Sequence, residues 1–179
     1  MKQPNISTTR LILRPFELTD ASNVQRLAGN FNVAKTTLNI PHPYEDGMAE
    51  KWIAKHKYQW EHKTHAVFAI EITESKTFIG VISLFDATIA EAKLGYWIGE
   101  PYWGYNYCTE ASAAIIRFAF KNLYLERIFA EHLTSNPASG RVMQKVGMTK
   151  FANRLIRDRN NNDSIVAIYE IINPDFNKK

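Results

Sequence analysis

Short segments in which apolar residues alternate or cluster between polar turns occupy much of the first half of the chain, which is the pattern of β-strands. Residues 10–15 form one such segment, ended by a proline. Three more follow in succession over residues 65–72, 77–86 and 92–99. The polar turn at residues 74–76 is short enough for antiparallel pairing. These segments therefore predict a sheet with an apolar core.

Helical spacing of apolar residues predicts helices between these strands. A first helix, capped by Thr19-Asp20, ends near Ala28. Residues 45–62 are interpreted as one helix with an aromatic-rich apolar face. Between the two helices, residues 31–44 have no regular pattern, and the prolines of residues 41–43 indicate an extended or turning segment.

A strand, a loop, a helix and a second strand follow one another in the second half of the chain. The helix, predicted over residues 111–122, joins the strand at 92–99 to a new strand at 127–133. A strand–helix–strand unit implies a parallel pair with a right-handed crossover. The sheet is therefore expected to be mixed.

A further helix begins at Asn136-Pro137, with Asn as the N-cap and Pro at the first helical position, and ends at Gly147. Two final apolar segments, residues 149–157 and 164–172, predict a hairpin that turns at residues 160–162. Residues 173–179 are expected to form a loose tail.

The composition of the chain is that of an ordinary globular protein. Its 179 residues are 45% hydrophobic and 22% charged, which predicts one domain over residues 1–179. No apolar run is as long as a membrane span, and the first ten residues lack an apolar leader, so a soluble cytoplasmic protein is expected. The single cysteine excludes a disulfide within the chain.

A net charge of +4 results from 22 basic and 18 acidic residues that are scattered without a basic block. This mild bias suits an anionic ligand or an acidic partner such as a ribosome, and it equally suits a mixed-charge solvated surface. No motif for nucleic-acid or metal binding is present.

The loop within residues 95–111 has the features of a phosphate-binding site. Gly104 and Asn106 are residue types that tolerate positive φ, and the helix that follows begins with backbone N–H groups that have no carbonyl partner. An anion is stabilised at such a helix end. The loop has neither the Gly-Lys-Ser/Thr of an NTP site nor the glycine triplet of a dinucleotide site. Gly and Asn are also common in ordinary turns.

Three blocks resemble a known family. Residues 103–111, Trp-Gly-Tyr-Asn-Tyr-Cys-Thr-Glu-Ala, resemble the W-G-x-G-Y-x-T-E-A pyrophosphate loop of the RimJ/RimL-like branch of the GNAT N-acetyltransferase superfamily. Residues 136–148 are similar to the N-x-x-S…E-K-x-G-F helix of that branch, and residues 9–15 match its opening segment. The resemblance implies an α/β (α+β) GNAT fold: a mixed, mostly antiparallel sheet with splayed central parallel strands and flanking helices.

The resemblance also implies where ligands bind. His42, Tyr44 and Tyr96 are expected to meet the acceptor, although packing explains an aromatic beneath a proline loop equally well. Acetyl-CoA is expected to contact a strand, the loop with the start of its helix, and the second helix. The residues are Trp97, Ile98 and Gly99; Trp103, Gly104, Tyr105, Asn106, Tyr107, Cys108 and Thr109; and Asn136, Arg141 and Lys145.

Transfer of an acetyl group from a thioester to an amine needs a neutral amine, donors for the oxyanion and a proton for the leaving thiolate. The resemblance implies that a backbone N–H of residues 97–99 holds the acetyl carbonyl. Many superfamily members supply the proton from a tyrosine, but Met143 stands at that position. The resemblance to the N-x-x-S form of the branch implies a hydroxyl near the thioester sulfur, so Ser139 is predicted to be the proton or hydrogen-bond donor, the alternative being a polar residue tolerated in the first helical turn. Cys108 is interpreted either as a packed side chain or as a thiol made reactive by the helix terminus.

No general base is evident from the sequence. Lys93 stands where some relatives have a carboxylate, and Glu91 and Glu100 are nearby alternatives. Glu110 is better explained as a partner of the helix dipole. An α-amine, with a pKa of about 7.7 to 8.0, needs a base less than lysine does.

The sequence therefore predicts an acetyl-CoA-dependent N-acetyltransferase that acts by direct attack, with a protein N-terminal α-amine as the expected acceptor. A small-molecule amine such as an antibiotic, polyamine or amino acid is the alternative acceptor. Asn106, Met143 and Lys93 together also make a catalytically silent CoA-binding module conceivable. A homodimer is compatible with this interpretation, and neither nucleic acid nor membrane is expected as a partner.

Overall fold

The computed structural model describes residues 2–158 and 161–176. These residues form an eight-stranded sheet in the order β1-β2-β3-β4-β5-β6-β8-β7, in which only the β5–β6 pair is parallel. The predicted mixed, mostly antiparallel sheet is thus confirmed. The strands are β1 (Ile6–Ser7), β2 (Leu11–Arg14), β3 (Ala66–Ile72), β4 (Thr77–Phe85), β5 (Glu91–Ile98), β6 (Arg127–Leu133), β7 (Thr149–Arg157) and β8 (Asp163–Ile172).

Helices cover both faces of the sheet. On one face, α5 and α6 pack over the central strands around Phe68, Ile115 and Met143. On the other face, α1 and α3 pack against Val81 and its neighbours. The central strands are therefore buried on both sides, which explains their nearly continuous apolar sequences. The helices are α1 (Ala21–Ala28), α2 (Phe31–Ala34), α3 (Met48–Ile53), α4 (His56–Glu61), α5 (Tyr107–Asn122) and α6 (Pro137–Lys145).

Strands β5 and β6 run together and then separate. Their ladder begins at Glu91 and Arg127 and ends at Leu94 and Ala130. At the closed end, Arg127 donates to Glu91 at 2.7 Å and to Glu170 of β8 at 3.2 Å, which ties three strands together. Beyond the ladder the strands open into a V between the two halves of the sheet.

The last hairpin reverses the order of its strands in the sheet. β8 pairs with β6 along its length, and β7 lies outside it at the edge. The β7–β8 register shifts between Lys150 and Ala152, so Phe151 is an inserted residue. Phe151 then lies 6.1 Å from the ring of Phe129 on β6.

Three predicted elements differ from the structure. The helix predicted over residues 45–62 is wrong as a single element, because α3 and α4 are separate and begin only after Gly47, which has a φ of 79°. The helix predicted from Ala111 begins four residues earlier, at Tyr107. The segment predicted as irregular contains the short helix α2.

Two other predictions fall partly on residues that are not described. The turn predicted at residues 160–162 includes Asn160, and the predicted tail includes residues 177–179; both lie outside the described residues. In the described part of the chain, no helix combines the length and the apolar character needed to cross a membrane.

Candidate functional site

The loop before α5 has the backbone geometry expected of a phosphate cradle. Gly104 has a φ of 85°, and a Cβ added to it would meet no atom within 4 Å. Asn106 has a φ of 61° and is the N-cap of α5, so the first amides of this long helix face the loop. Lys145 of α6 donates to the Asn106 side chain at 2.9 Å, which places a cation beside these amides.

The opening segment of the chain holds the outer side of this loop. Arg10 donates to the backbone oxygen of Tyr105 at 3.1 Å and lies 4.6 Å above the ring of Tyr107. The Glu110 carboxylate accepts from the Thr8 hydroxyl at 2.7 Å and from the Arg10 backbone at 2.9 Å. Burial opposes ionisation of Glu110, but these hydrogen bonds hold its pKa below the usual value. Glu110 is therefore directed toward Thr8 and Arg10.

Asn136 fixes the start of α6. Its side-chain oxygen accepts from the Ser139 amide at 3.4 Å, and its NH₂ group donates to the Thr36 carbonyl at 3.1 Å. Asn136 is thus both the predicted N-cap and a link to the segment after α2.

Ser139 and Tyr96 form a polar pair inside the V. The Tyr96 hydroxyl donates to the Ser139 carbonyl at 3.0 Å and lies 3.0 Å from the Ser139 Oγ. Burial is the main cause that raises the pKa of Tyr96 above its ordinary value, so the phenol stays protonated. Because the one phenolic proton is directed to the carbonyl, the Ser139 hydroxyl is the donor in its contact with the Tyr96 oxygen.

Two predicted residues of this region have less reactive surroundings than their positions suggest. Burial raises the pKa of Cys108 to about 12, which favours the packed side chain over a thiol made reactive by the helix terminus. Met143, at the position where many relatives have tyrosine, is 1% exposed in the core.

The amides of residues 97–99 point in different directions. The Gly99 N–H donates to the Ile79 carbonyl of β4 at 2.8 Å and is therefore already used. Amides alternate sides along a strand, so the Ile98 N–H points away from β4 and into the V. The Ile98 carbonyl, on the same side, accepts from the Trp103 indole at 2.6 Å.

A cleft of about 1400 Å³ passes from the loop through the V to the α1/α3 face of the sheet. Gly99 and Tyr105 do not line it, and His42 lies instead beside Phe31 in an adjoining pocket of about 240 Å³. The other predicted residues line the cleft: Tyr44, Tyr96, Trp97, Ile98, Trp103, Gly104, Asn106, Tyr107, Cys108, Thr109, Asn136, Ser139, Arg141 and Lys145.

On the α1/α3 face, the cleft has a carboxylate that the sequence reasoning missed. Glu131 of β6 lines the cleft, and its Oε2 accepts from Arg154 of β7 at 2.7 Å. On the same face, Lys93 of β5 pairs with Phe129, two residues before Glu131, and its Nζ lies 3.7 Å from Asp86. The sequence signal that could have identified Glu131 is an acidic residue on the strand that precedes the Asn136 cap and borders the V.

The three carboxylates considered from the sequence are engaged elsewhere. Glu91 binds Arg127, Glu110 binds Arg10, and Glu100 accepts from the amide groups of Asn30 at 2.7 Å and Asn32 at 2.6 Å. None of the three lines the cleft.

This arrangement fits an extended thioester ligand that ends in phosphates. The amides at the N-terminus of α5, with Lys145 and Arg141 nearby, suit a pyrophosphate. The unpaired strand edges of the V suit an amide-containing arm, because β5 and β6 share no ladder beyond Leu94 and Ala130.

Comparison with known proteins agrees with this geometry. Residues 10–149 match the acetyltransferase (GNAT) domain family. An uncharacterized N-acetyltransferase of Bacillus subtilis, YnaD, is 30% identical over 147 residues, which cover 82% of this chain and 83% of that protein.

Solved structures share the fold at lower identity. Ribosomal-protein-S5-alanine acetyltransferase from Vibrio fischeri has a TM-score of 0.85 at 18% identity, covering 97% of this chain and 98% of the other. Spermidine N-acetyltransferase from Vibrio cholerae, solved with CoA and spermine, has a TM-score of 0.80 at 17% identity, covering 94% and 98%. The family match, the YnaD relative and the cleft together show that this chain is an acetyl-CoA-dependent N-acetyltransferase of the GNAT family.

Proposed function

We propose that the acceptor is the α-amine of a protein N-terminus and that it attacks the acetyl group directly. The observation that supports this acceptor is the scarcity of free carboxylates: in the described lining of the cleft, Asp86 and Glu131 each already have a basic partner. Solved proteins of this fold include both ribosomal-protein and spermidine acetyltransferases, so the fold alone does not choose between acceptor classes.

An α-amine suits a site with little basic help. Its pKa of about 7.7 to 8.0 leaves roughly one molecule in ten neutral at pH 7, whereas a lysine-like amine near 10.4 leaves roughly one in 2500. A polyamine also needs several unpaired carboxylates to bind its charges. The cleft therefore favours an α-amine, because a larger fraction of its molecules is neutral at pH 7.

We assign three groups to the transfer. The Ile98 N–H points into the V and donates to the carbonyl oxygen of the acetyl group. Ser139, held by Tyr96 and by the α6 cap, donates a hydrogen bond to the leaving sulfur, and the CoA thiolate then takes a proton from solvent. Glu131 orients the amine and accepts the proton that the amine loses.

Bound acetyl-CoA supplies the activated acetyl thioester. The residues assigned to hold it are the amides at the start of α5, Lys145 and Arg141 for the phosphates, and Asn136 for the arm. These residues bind and orient the ligand, whereas Ser139 donates to the leaving sulfur and Glu131 accepts the proton of the amine.

The experiment measures release of free CoA and the mass of the product with acetyl-CoA and a panel of N-terminal peptides, polyamines, amino acids and aminoglycosides. Turnover of peptides, with acetylation at the α-amine, is the expected result. Turnover of small amines alone would refute the proposed acceptor, and CoA binding without turnover on any amine would favour the silent module.

Two variants test the assigned residues. Ser139→Ala is expected to lower kcat by about 10- to 100-fold with CoA affinity retained, because one hydrogen-bond donor is removed. Glu131→Gln is expected to lower kcat/KM for peptides by a similar factor. The matched controls are Ser75→Ala and Glu74→Gln, which lie in the exposed β3–β4 turn outside the cleft. Unchanged rates in either test variant would remove that residue from the mechanism.

A further inference from the structure

We propose that Arg154 determines acceptor specificity by binding a carboxylate of the acceptor. The preferred acceptor is then a peptide with an acidic side chain within its first three residues. This inference rests on the proposed transfer to an N-terminal α-amine. It adds which side chains the acceptor peptide carries next to that amine.

The position of Arg154 follows from the strand order of the last hairpin. Arg154 pairs with Val166 of β8, which in turn pairs with Leu133 of β6. Cross-strand partners point to the same face of a sheet, so Arg154 shares a face with Leu133 and Glu131. Arg154 therefore lies at the mouth of the α1/α3 side of the cleft, which it lines.

The guanidinium of Arg154 has unused donors. It carries five N–H groups, and one of its nitrogens, Nη2, bonds to Glu131 at 2.7 Å. Within the described part of the chain Glu131 is its one hydrogen-bonding partner, and its side chain is 53% exposed. A planar guanidinium with free donors binds a carboxylate in a bidentate geometry.

Acceptor binding changes the ion pairs of this site. An amine that binds Glu131 shares this carboxylate with Arg154, which bonds to Oε2, and so weakens the ion pair. Arg154, which is about half exposed, then faces the cleft with donors available for another anion. A carboxylate on the acceptor restores the pairing, so each charge again has an opposite charge beside it.

A second cation on the same face as Glu131 is consistent with this assignment: Lys93 pairs with Phe129, two residues before Glu131, and adds positive charge near the acceptor. Lys93 is paired only loosely with Asp86, at 3.7 Å, and both side chains are largely exposed, at 42% and 61%. The described lining thus has no unpaired carboxylate for a second positive charge on an acceptor. Basic residues near the acceptor amine are therefore disfavoured, and acidic ones are favoured.

The experiment compares peptides that share an N-terminal serine and differ only at the second residue: alanine, glutamate or lysine. Free serine and free glutamate test whether an α-carboxylate alone is sufficient. The wild-type enzyme is expected to prefer the glutamate peptide over the alanine peptide by about tenfold or more in kcat/KM, mainly through KM. The lysine peptide is expected to be the poorest.

Variants identify the residue responsible. Arg154→Gln is expected to abolish the preference for glutamate, and Arg154→Lys is expected to keep part of it, because lysine retains the charge but not the fork. Arg157→Gln is the matched control: Arg157 lies on the same strand, is 66% exposed, pairs with Asp163 and does not line the cleft. The control should retain the full preference.

The outcomes separate the two proposals. Equal rates on the three peptides, a preference that survives Arg154→Gln, or turnover of free amino acids in place of peptides would overturn the role of Arg154. If the rates are equal, or if the preference survives Arg154→Gln, turnover of the alanine peptide would still support the proposed function. Turnover confined to polyamines or other small amines would overturn both proposals.

Discussion

Replacing His56 by phenylalanine is expected to make the stability of the protein less sensitive to acid. His56 lies on α4 and is 5% exposed, with ring centroids 4.3 Å from Trp52 and 5.1 Å from Phe16. Neither of its ring nitrogens has a hydrogen-bond partner among the described residues. Burial, with a smaller contribution from His65, lowers the pKa of His56 from 6.5 to about 4.

The sign and size of the effect follow from proton linkage. Above pH 6.5 the imidazole is neutral in both the folded and the unfolded chain, so His56 contributes little pH dependence. Between pH 6.5 and 4 only the unfolded chain takes up the proton, and folding is progressively destabilised. The loss is about 2 kcal/mol at pH 5 and approaches about 3.4 kcal/mol below pH 4, at 1.36 kcal/mol for each pKa unit.

The assay is urea unfolding of the wild type and the His56→Phe variant at several pH values between 7 and 4.5. Other groups titrate in both proteins, so the difference between their unfolding free energies isolates His56. His62→Phe is the matched control, because His62 is exposed and stacks on Tyr58 at 3.8 Å. A difference that stays constant from pH 7 to 4.5 would refute the reasoning.

Three further substitutions have definite expected results. Asp20→Asn leaves the guanidinium of Arg14 with a weaker partner than the present 2.8 Å ion pair, and should lower the free energy of unfolding by about 3 kcal/mol in urea at pH 7. Asn106→Gly should keep CoA affinity within about threefold, whereas Asn106→Val should weaken it about tenfold by calorimetry, because a β-branched residue is strained at positive φ. Tyr96→Phe should lower kcat about tenfold in initial-rate assays without changing CoA affinity, because Ser139 loses its hydroxyl partner.

Local signals made much of the fold and the phosphate loop predictable. Gly104 and Asn106 are residue types that tolerate positive φ, and both have it in the structure. Asn136 followed by Pro137 is a pair that starts helices, and α6 begins there. In each case the physical cause lies within a few residues of the chain, so the sequence alone carries the information.

The polar pairs of the site depend on contacts between distant parts of the chain. Tyr96 and Ser139 are 43 residues apart, and Glu131 and Arg154 are 23 apart. The second pair exists because β8 inserts between β6 and β7 and because Phe151 shifts the register. Neither the strand order nor the shift has a local signature, so the pairing of Glu131 with Arg154 could not be predicted from the sequence.

The break that divides residues 45–62 into α3 and α4 has a local cause, but the helix-forming residues on both sides of it gave no sign of a break. The Lys55 amide bonds to the carbonyl of Trp52, three residues back, at 3.3 Å, so the helical turn tightens between α3 and α4. Ile53 and His56, on either side of this turn, both face the interior. A pattern of helix-forming residues does not reveal the tightened turn.

Because β5 and β6 separate where the donor is expected to bind, the resistance of this enzyme to proteolysis depends on the supply of acetyl-CoA. At this seam the two halves of the sheet are joined by the short ladder from Glu91 to Leu94, the Arg127–Glu91 ion pair and the Tyr96–Ser139 contact. A ligand that fills the seam binds the folded chain alone, and at 100 times its dissociation constant stabilises it by about 2.7 kcal/mol. Proteolysis that proceeds through opening of the chain slows by about 100-fold under the same conditions. In a cell short of acetyl-CoA, the reaction would thus slow for lack of donor, and the amount of enzyme would also fall because the unliganded chain is degraded faster.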